Sequence, residues 1–479
     1  IFFMKKFLAL LVLFLCSVSV FSQTNVSDSI HEDSLFDYSL DENDKHYIVA
    51  LTGSFIPSAL FYSWNNYVLQ AGWAKVDDDE MAAFYNRDLE YDTDWVSTNF
   101  LGHPYQGSLY YLSGRSANLN MFESFAISVL GSYVWEFICE ANAPSINDMA
   151  YTTIGAFALG EMLNKLSHQA DENVYAFHYL LNPISIYSDL FLGIRPVNNQ
   201  DNITTLNTWI GISSAVGNGG PISNDYYNIL EKYPFFAKGG IEITYNDAYG
   251  HDSKEPYDQF ELCFYGGVGP GTGIRQEKVL EEELSYNTTL FSKGVLKTFS
   301  LDINEYIDTT IGFSMLYDYA WLNFYEFTSL APAFYFAQRI NGEKSLFSYQ
   351  TNIGFNLLGI TEFNYYRRKY IENPSRFRSY NYVFGLEMYN SLNFENKKNI
   401  FNFNSRIFAS CNFYDPRIKN YSGWNFYSLN QLSYEYLFSK SLGIGLQYDF
   451  YINYSYYHSL PNYLSYYNEI ELFVKWHLK

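Results

Sequence analysis

Leu442-Gly443-Ile444-Gly445-Leu446-Gln447-Tyr448-Asp449-Phe450-Tyr451-Ile452-Asn453-Tyr454 decides the fold. In an extended chain Leu442, Ile444, Leu446, Tyr448, Phe450, Ile452 and Tyr454 share one side, and Gly443, Gly445, Gln447, Asp449, Tyr451 and Asn453 share the other. A period of two marks a strand with one apolar face. Lys238 to Asn246 alternates in the same way, as do Phe347 to Leu357 and Ile470 to Trp476. Such runs reach roughly ten residues, the length of a tilted membrane strand, against about five or six for an ordinary one. A soluble sandwich also alternates, but length favours a transmembrane barrel.

From about Leu206 onward, tight turns such as Asn341-Gly342 and Ser439-Lys440-Ser441 alternate with longer acidic or Asn-rich loops. That asymmetry fits short periplasmic turns and long outer loops, with about a dozen strands. Gly266-Gly267-Val268-Gly269-Pro270-Gly271-Thr272-Gly273 lacks Gly-Lys-Ser/Thr and a following helix pattern, so it reads as a barrel loop and not as a phosphate cradle. The expected fold class is α+β: an N-terminal helical domain, then a C-terminal antiparallel transmembrane β-barrel of about 12 strands over 203–479.

Composition agrees. One residue in five is aromatic, with Tyr 47 and Phe 41 among 479. Mean hydropathy is nonetheless slightly below zero, so apolar character is dispersed through polar surroundings. The formal net charge of −21, from 30 Lys+Arg against 51 Asp+Glu, argues against nucleic acid as a partner. Cys16 lies in the leader, and Cys139, Cys263 and Cys411 are far apart without metal-ligand spacing. No cofactor and no metal are expected.

Met4-Lys5-Lys6 and the apolar run Phe7 to Cys16 have the form of a secretory signal over 1–22, too short to span a membrane. Residues 23–45 form an acidic linker without hydrophobic period. Residues 46–195 read as a helical domain. Within it Ser116 to Glu140 reads as one long helix, because Ser116, Asn120, Ser124, Ser128, Ser132, Glu136 and Glu140 recur every four residues in a single polar stripe. Ala150 to Leu163 is its expected partner, with Ser145 or Asn147 as N-cap and Asp148 in the first turn.

The candidate site lies in the same segment. His103, Arg115, Glu136, Glu140, Asp148 and Glu161 gather in an otherwise apolar stretch, beside Asn99, Pro104, Tyr105, Gly107, Trp135 and Asn147. Pro104 should hold His103 extended before a turn at Tyr105 and Gly107. His103 beside Arg115 and facing Glu136, Glu140, Asp148 or Glu161 would make a carboxylate-oriented general base. The plainer reading, which prevails, is that His103 and Arg115 neutralise buried carboxylates and fix helix packing, because no Gly-x-Ser-x-Gly nucleophile is present. Glu136 and Glu140, one turn apart, would otherwise share a divalent cation with Asp148 or Glu161.

The order Asp92-Thr93-Asp94, Asn99, His103-Pro104-Tyr105-Gln106-Gly107-Ser108, Arg115, Trp135-Glu136, Glu140, Pro144-Ser145-Ile146-Asn147-Asp148 and Gly160-Glu161 resembles a bacterial family known only as domain of unknown function three-nine-four-three. The resemblance covers roughly residues 45 to 195. It implies a secreted envelope protein of Gram-negative bacteria with a strand-rich C-terminal part and brings no activity. Gln106 stands where many members carry a second histidine, which weakens any two-histidine role. The expectation is an outer-membrane barrel with a periplasmic helical portion, serving envelope maintenance or scaffolding, with outer-membrane lipid and other envelope proteins as partners. A lipid-modifying hydrolase using His103 and a small-solute pore are the alternatives.

Overall fold

A computed structural model describes residues 44–76, 88–91, 94–169, 175–192, 202–222, 229–275, 278–322, 325–362, 380–412, 423–458 and 460–479. The leader read over 1–22 and nearly all of the acidic linker lie outside them.

Among the described residues six α-helices come first: α1 (Tyr47–Ser63), α2 (His103–Ser116), α3 (Met121–Val134), α4 (Ile146–Ser167), α5 (Tyr175–Leu181) and α6 (Ser185–Leu192). Three π turns extend them, Trp64–Val68 after α1, Thr98–Gly102 before α2 and Trp135–Cys139 after α3. The single helix read over Ser116 to Glu140 is therefore wrong. The chain breaks at Asn118, whose φ is +62°, and restarts under a capping box in which Asn120 Oδ1 accepts from the Glu123 N–H and Glu123 returns the bond. Asparagine tolerates this left-handed conformation and also caps well, which overrides the apolar pattern on either side.

Twelve strands follow. They are β1 (Ile203–Pro221), β2 (Ile229–Tyr245), β3 (Phe260–Arg275), β4 (Lys278–Asn304), β5 (Ile307–Leu322) and β6 (Tyr325–Asn341). The second half comprises β7 (Ser345–Glu362), β8 (Tyr380–Asn396), β9 (Asn399–Asn412), β10 (Gly423–Leu437), β11 (Leu442–Tyr457) and β12 (Tyr463–His477). Each pairs antiparallel with its sequence neighbours and β1 pairs with β12, closing the barrel. The glycine-rich run at 266–273 is strand and not loop. A Cβ on Gly267 would fall 2.5 Å from the Phe236 ring, so the glycine makes room for an inward aromatic on β2.

Side chains that meet partners several strands away must point inward. Arg406 of β9 reaches Asp318 of β5 at 2.7 Å, and the rings of Phe327 and Phe408 lie 3.9 Å apart between β6 and β9. Phe291 of β4 meets Tyr389 of β8, and Lys238 of β2 is held by Glu471 at 2.9 Å and Glu469 at 3.1 Å. The lumen is thus crossed by side chains along much of its length.

Strand alternation then places Tyr317 and Tyr319 on the outer wall. They are nevertheless buried, because the helices lie against that wall. The row Ile241, Phe264, Leu290, Tyr319, Thr328, Ile360, Tyr382 follows consecutive backbone pairings from β2 to β8. The apolar members of this row and of the neighbouring row Ile243, Leu262, Ser292, Tyr317, Leu330 join Phe100, Tyr151, Met162 and Leu166 of the helical unit in one apolar cluster.

Candidate functional site

The site is built on the crossing of α2 and α4. A Cβ on Gly107 would sit 1.8 Å from the Thr152 carbonyl oxygen, and one on Gly155 would sit 2.6 Å from Pro104. Only glycine lets the two backbones approach this closely. The approach carries His103 on α2 to Asp148 and Thr152 on α4.

His103 is helical, with φ −63° and ψ −45°, and not extended. The helix runs through Pro104 because the preceding π turn takes up the displacement a proline forces on the turn before it. Pro104 has no N–H to give to the carbonyl of Phe100, four residues back. The Tyr317 hydroxyl, from the barrel wall, donates to that carbonyl instead. Asn99 makes a second tie to the wall, donating from Nδ2 to the Tyr380 hydroxyl at 2.7 Å.

The expected charges separate into three groups. In the first, His103 Nε2 lies 3.6 Å from Asp148 Oδ1, and its Nδ1 lies 3.3 Å from the Thr152 hydroxyl. Asn147 Nδ2 donates to the same Asp148 oxygen at 2.8 Å. Ser145 caps α4, its hydroxyl accepting from the Asp148 N–H at 3.2 Å, while its own N–H donates to Glu136 Oε2 at 2.9 Å. In the second group Arg115 Nε faces Glu161 Oε2 at 3.1 Å, and the Tyr111 hydroxyl donates to that oxygen at 2.7 Å. In the third Glu140 accepts from Trp135 Nε1 at 2.6 Å.

So His103 pairs with Asp148 and Arg115 with Glu161, while Glu136 and Glu140 diverge to different partners. The shared-cation reading of that glutamate pair fails here. No cluster of three or more His, Cys, Asp or Glu suited to a metal occurs among the described residues. His103 is 6% exposed and Asp148 2%. The serine next to this crossing, Ser108, turns its hydroxyl to the Tyr105 carbonyl. Chemically, an imidazole within ion-pair distance of a carboxylate is present, but it is roofed by packing. Gln106 donates to the Tyr110 hydroxyl at 2.7 Å, and that hydroxyl also meets Ser58 on α1. Tyr105 faces outward, half-exposed.

Sequence reasoning missed Tyr111 and Thr152 as partners, and missed Tyr317 and Tyr380 altogether. The first two face their partners across the helix crossing at a spacing that only the α2–α4 geometry reveals. The tyrosines of the wall lie more than 200 positions away in the chain.

Residues 88–182 match the model of a family described as a domain of unknown function, DUF3943. The resemblance read from the sequence over roughly 45 to 195 is thereby supported over 88–182, from before α2 through α5, and not over α1 or α6. Comparison with curated proteins finds no match. Among solved structures, the outer membrane protease OmpT from Escherichia coli aligns at 8% identity over 58% of this chain and 99% of its own, with a TM-score of 0.28. The translocator domain of the autotransporter NalP from Neisseria meningitidis aligns at 9% identity over 58% and 90%, TM-score 0.26. A Pseudomonas aeruginosa FadL homologue aligns at 8% identity over 58% and 91%, TM-score 0.24. These are likenesses to other barrels and are silent on activity.

Proposed function

We propose that the chain is an outer-membrane barrel protein that performs no chemistry of its own and serves envelope maintenance as a scaffold for outer-membrane lipid and envelope proteins. The observation that carries this is the state of the candidate charges. His103, Arg115, Glu136, Asp148 and Glu161 each engage another group within the helical unit. Buried ion pairs of this kind fix register and orientation. The lumen argues in the same direction, since Arg406–Asp318 and Phe327–Phe408 span it where a solute would pass. The membrane location is supported by strands of 14 residues or more, against the roughly 9–11 needed to cross. It is supported too by exposed outward residues such as Ile210, Ile353, Leu386, Leu446 and Ile470.

A second reading, an outer-membrane hydrolase acting on lipid, draws on the His103–Asp148 pair, in which a carboxylate orients an imidazole. The two readings separate in one experiment. A deletion strain is complemented with wild type or with His103→Ala, and its outer-membrane lipids are compared after checking fractionation and heat-modifiable gel mobility. Under the scaffold reading His103→Ala restores the wild-type lipid profile wherever it reaches the outer membrane. A folded, correctly located His103→Ala protein that behaves like the deletion would establish the hydrolase instead. A product found soluble in the periplasm would refute the barrel's placement.

A further inference from the structure

We infer that the helical unit lies within the hydrocarbon layer beside the barrel, so that the protein crosses the membrane with helices and strands together. This rests on the outer-membrane placement of the barrel and extends it. The first support is that the helices are inside out. On α3 four of the six buried residues are small, Ser124, Ser128, Gly131 and Ser132, beside Met121 and Ile127, while Phe122, Val129, Leu130 and Tyr133 are exposed. On α1 Gly53, Ser54 and Ser58 are buried and Phe55 and Leu60 are exposed. On α6 Ser185 and Ser188 face in, while Leu190 and Phe191 face out at 79% and 64% exposure. A helix in water buries its apolar side; one in lipid gains nothing by doing so, and packs through small and polar residues.

The second support is height. Lys165, near the C-terminal end of α4, binds Glu255 at 2.6 Å in the connection between β2 and β3. Asn99, at the other end of the unit, binds Tyr380 where β8 begins, on the opposite rim. The helical unit therefore spans the wall from rim to rim. The third is length and its borders. Met121–Cys139 comprises 19 residues, long and apolar enough to cross a membrane, or about 28 Å at the helical rise, against roughly 30 Å of hydrocarbon. One end of α1 and α3 is marked by the Lys45–Glu123 pair at 2.8 Å, and the other by the exposed Trp64 that follows α1. Charge at one limit and tryptophan at the other are how spanning segments end. The exposed face of the helices continues the barrel's own apolar band, and the occupant that fits both is lipid acyl chain. The periplasmic portion is then the β2–β3 connection and the chain before Tyr47.

The test uses the full chain reconstituted in phosphatidylethanolamine–phosphatidylglycerol vesicles and an apolar diazirine dissolved in the bilayer, with adducts mapped by mass spectrometry. Leu60, Leu130 and Tyr133 should be labelled at yields comparable to Leu386 and Ile353, with no adducts on Ser124 or Ser128. Labelling of Leu386 and Ile353 without Leu130, together with hydroxyl-radical oxidation of Leu130 from the aqueous side, would overturn the inference and leave the barrel's placement standing. Protection of Leu130 from both probes, with a doubled particle mass in detergent, would overturn it by making this face a contact between two copies. Absence of label from Leu386 and Ile353 as well would remove the outer-membrane reading itself.

Discussion

Gly107→Ala should loosen the helical unit while leaving the barrel closed. The added Cβ would lie 1.8 Å from the Thr152 carbonyl oxygen, 2.8 Å from its carbon and 3.0 Å from Ala156 Cβ. Comfortable non-bonded separation is about 3.5 Å, and the obstacle is backbone, which has no rotamer to escape into. The two helices must part by over about 1 Å, and a gap of that size forfeits roughly a quarter to a half of the dispersion energy across the contact. The cost belongs at the upper end of overpacking, about 3 kcal/mol. Gly102→Ala, one turn earlier, is the control. Its nearest neighbour would be the Ser97 carbonyl oxygen at 3.8 Å, an ordinary contact, and alanine favours helix over glycine by about 1 kcal/mol. Trypsin cleavage after Arg115 and Lys165 in micelles reports opening of the unit, and about 3 kcal/mol corresponds to a roughly hundredfold rise in the open population. Heat-modifiable mobility reports the barrel separately. Equal cleavage rates for Gly107→Ala, Gly102→Ala and wild type would refute the close crossing of α2 and α4.

Glu161→Ala strands the Arg115 guanidinium and the Tyr111 hydroxyl that converge on it, and should cost about 3 kcal/mol by the same cleavage assay; Glu161→Gln, which keeps an acceptor, should cost less. Tyr317→Phe removes the donor to the Phe100 carbonyl, and should raise cleavage after Arg115 by the equivalent of about 1 kcal/mol without changing heat-modifiability. Asp252, in the β2–β3 connection, is held below the usual carboxylate range by the Ser300 N–H, at 2.6 Å, and then by the Ser300 hydroxyl, at 2.9 Å. A depressed pKa contributes stability that is present above the ordinary carboxylate value and is lost as the pH falls through the folded-state value. Hydrogen exchange at the Ser300 amide, corrected for intrinsic pH dependence, should therefore stay protected at neutral pH and lose protection in acid; Asp252→Asn should abolish that pH dependence.

The barrel was legible because a period of two survives in any run with one apolar face, and its length separated membrane strand from sandwich strand. The expectation of about a dozen strands meets a closed ring of twelve. What misled were residues whose meaning depends on a neighbour. The glycines at 266–273 look like a loop until the Phe236 ring is placed over Gly267. His103 looks extended until the π turn at Thr98–Gly102 is known to make room for Pro104. The pairing of Arg115 with Glu161, and not with Glu136 or Glu140, follows from the tilt of α2 on α4, which spacing along one chain does not encode.

The polar stripe is the instructive case. Ser124, Ser128, Ser132 and Glu136 do share one side of α3 and its π turn, as their spacing of four requires, and a helix in water would turn that side to solvent. Here all four are at most 1% exposed, and Phe122 opposite them is 83% exposed. Spacing therefore located the stripe correctly but carried no sign: the same period serves a soluble helix with its stripe out and a lipid-facing helix with its stripe in. The stripe's small residues, the face a neighbouring helix can approach, point it inward, and Glu136 agrees. A carboxylate on the outward side of a spanning helix would meet hydrocarbon, where no donor exists, whereas on the inward side it accepts the Ser145 N–H at 2.9 Å and helps seat the start of α4. With the helical unit placed in the hydrocarbon layer as proposed, the charges that first suggested a catalytic site would supply the polar interior that a unit with an apolar exterior needs in order to assemble against the barrel wall.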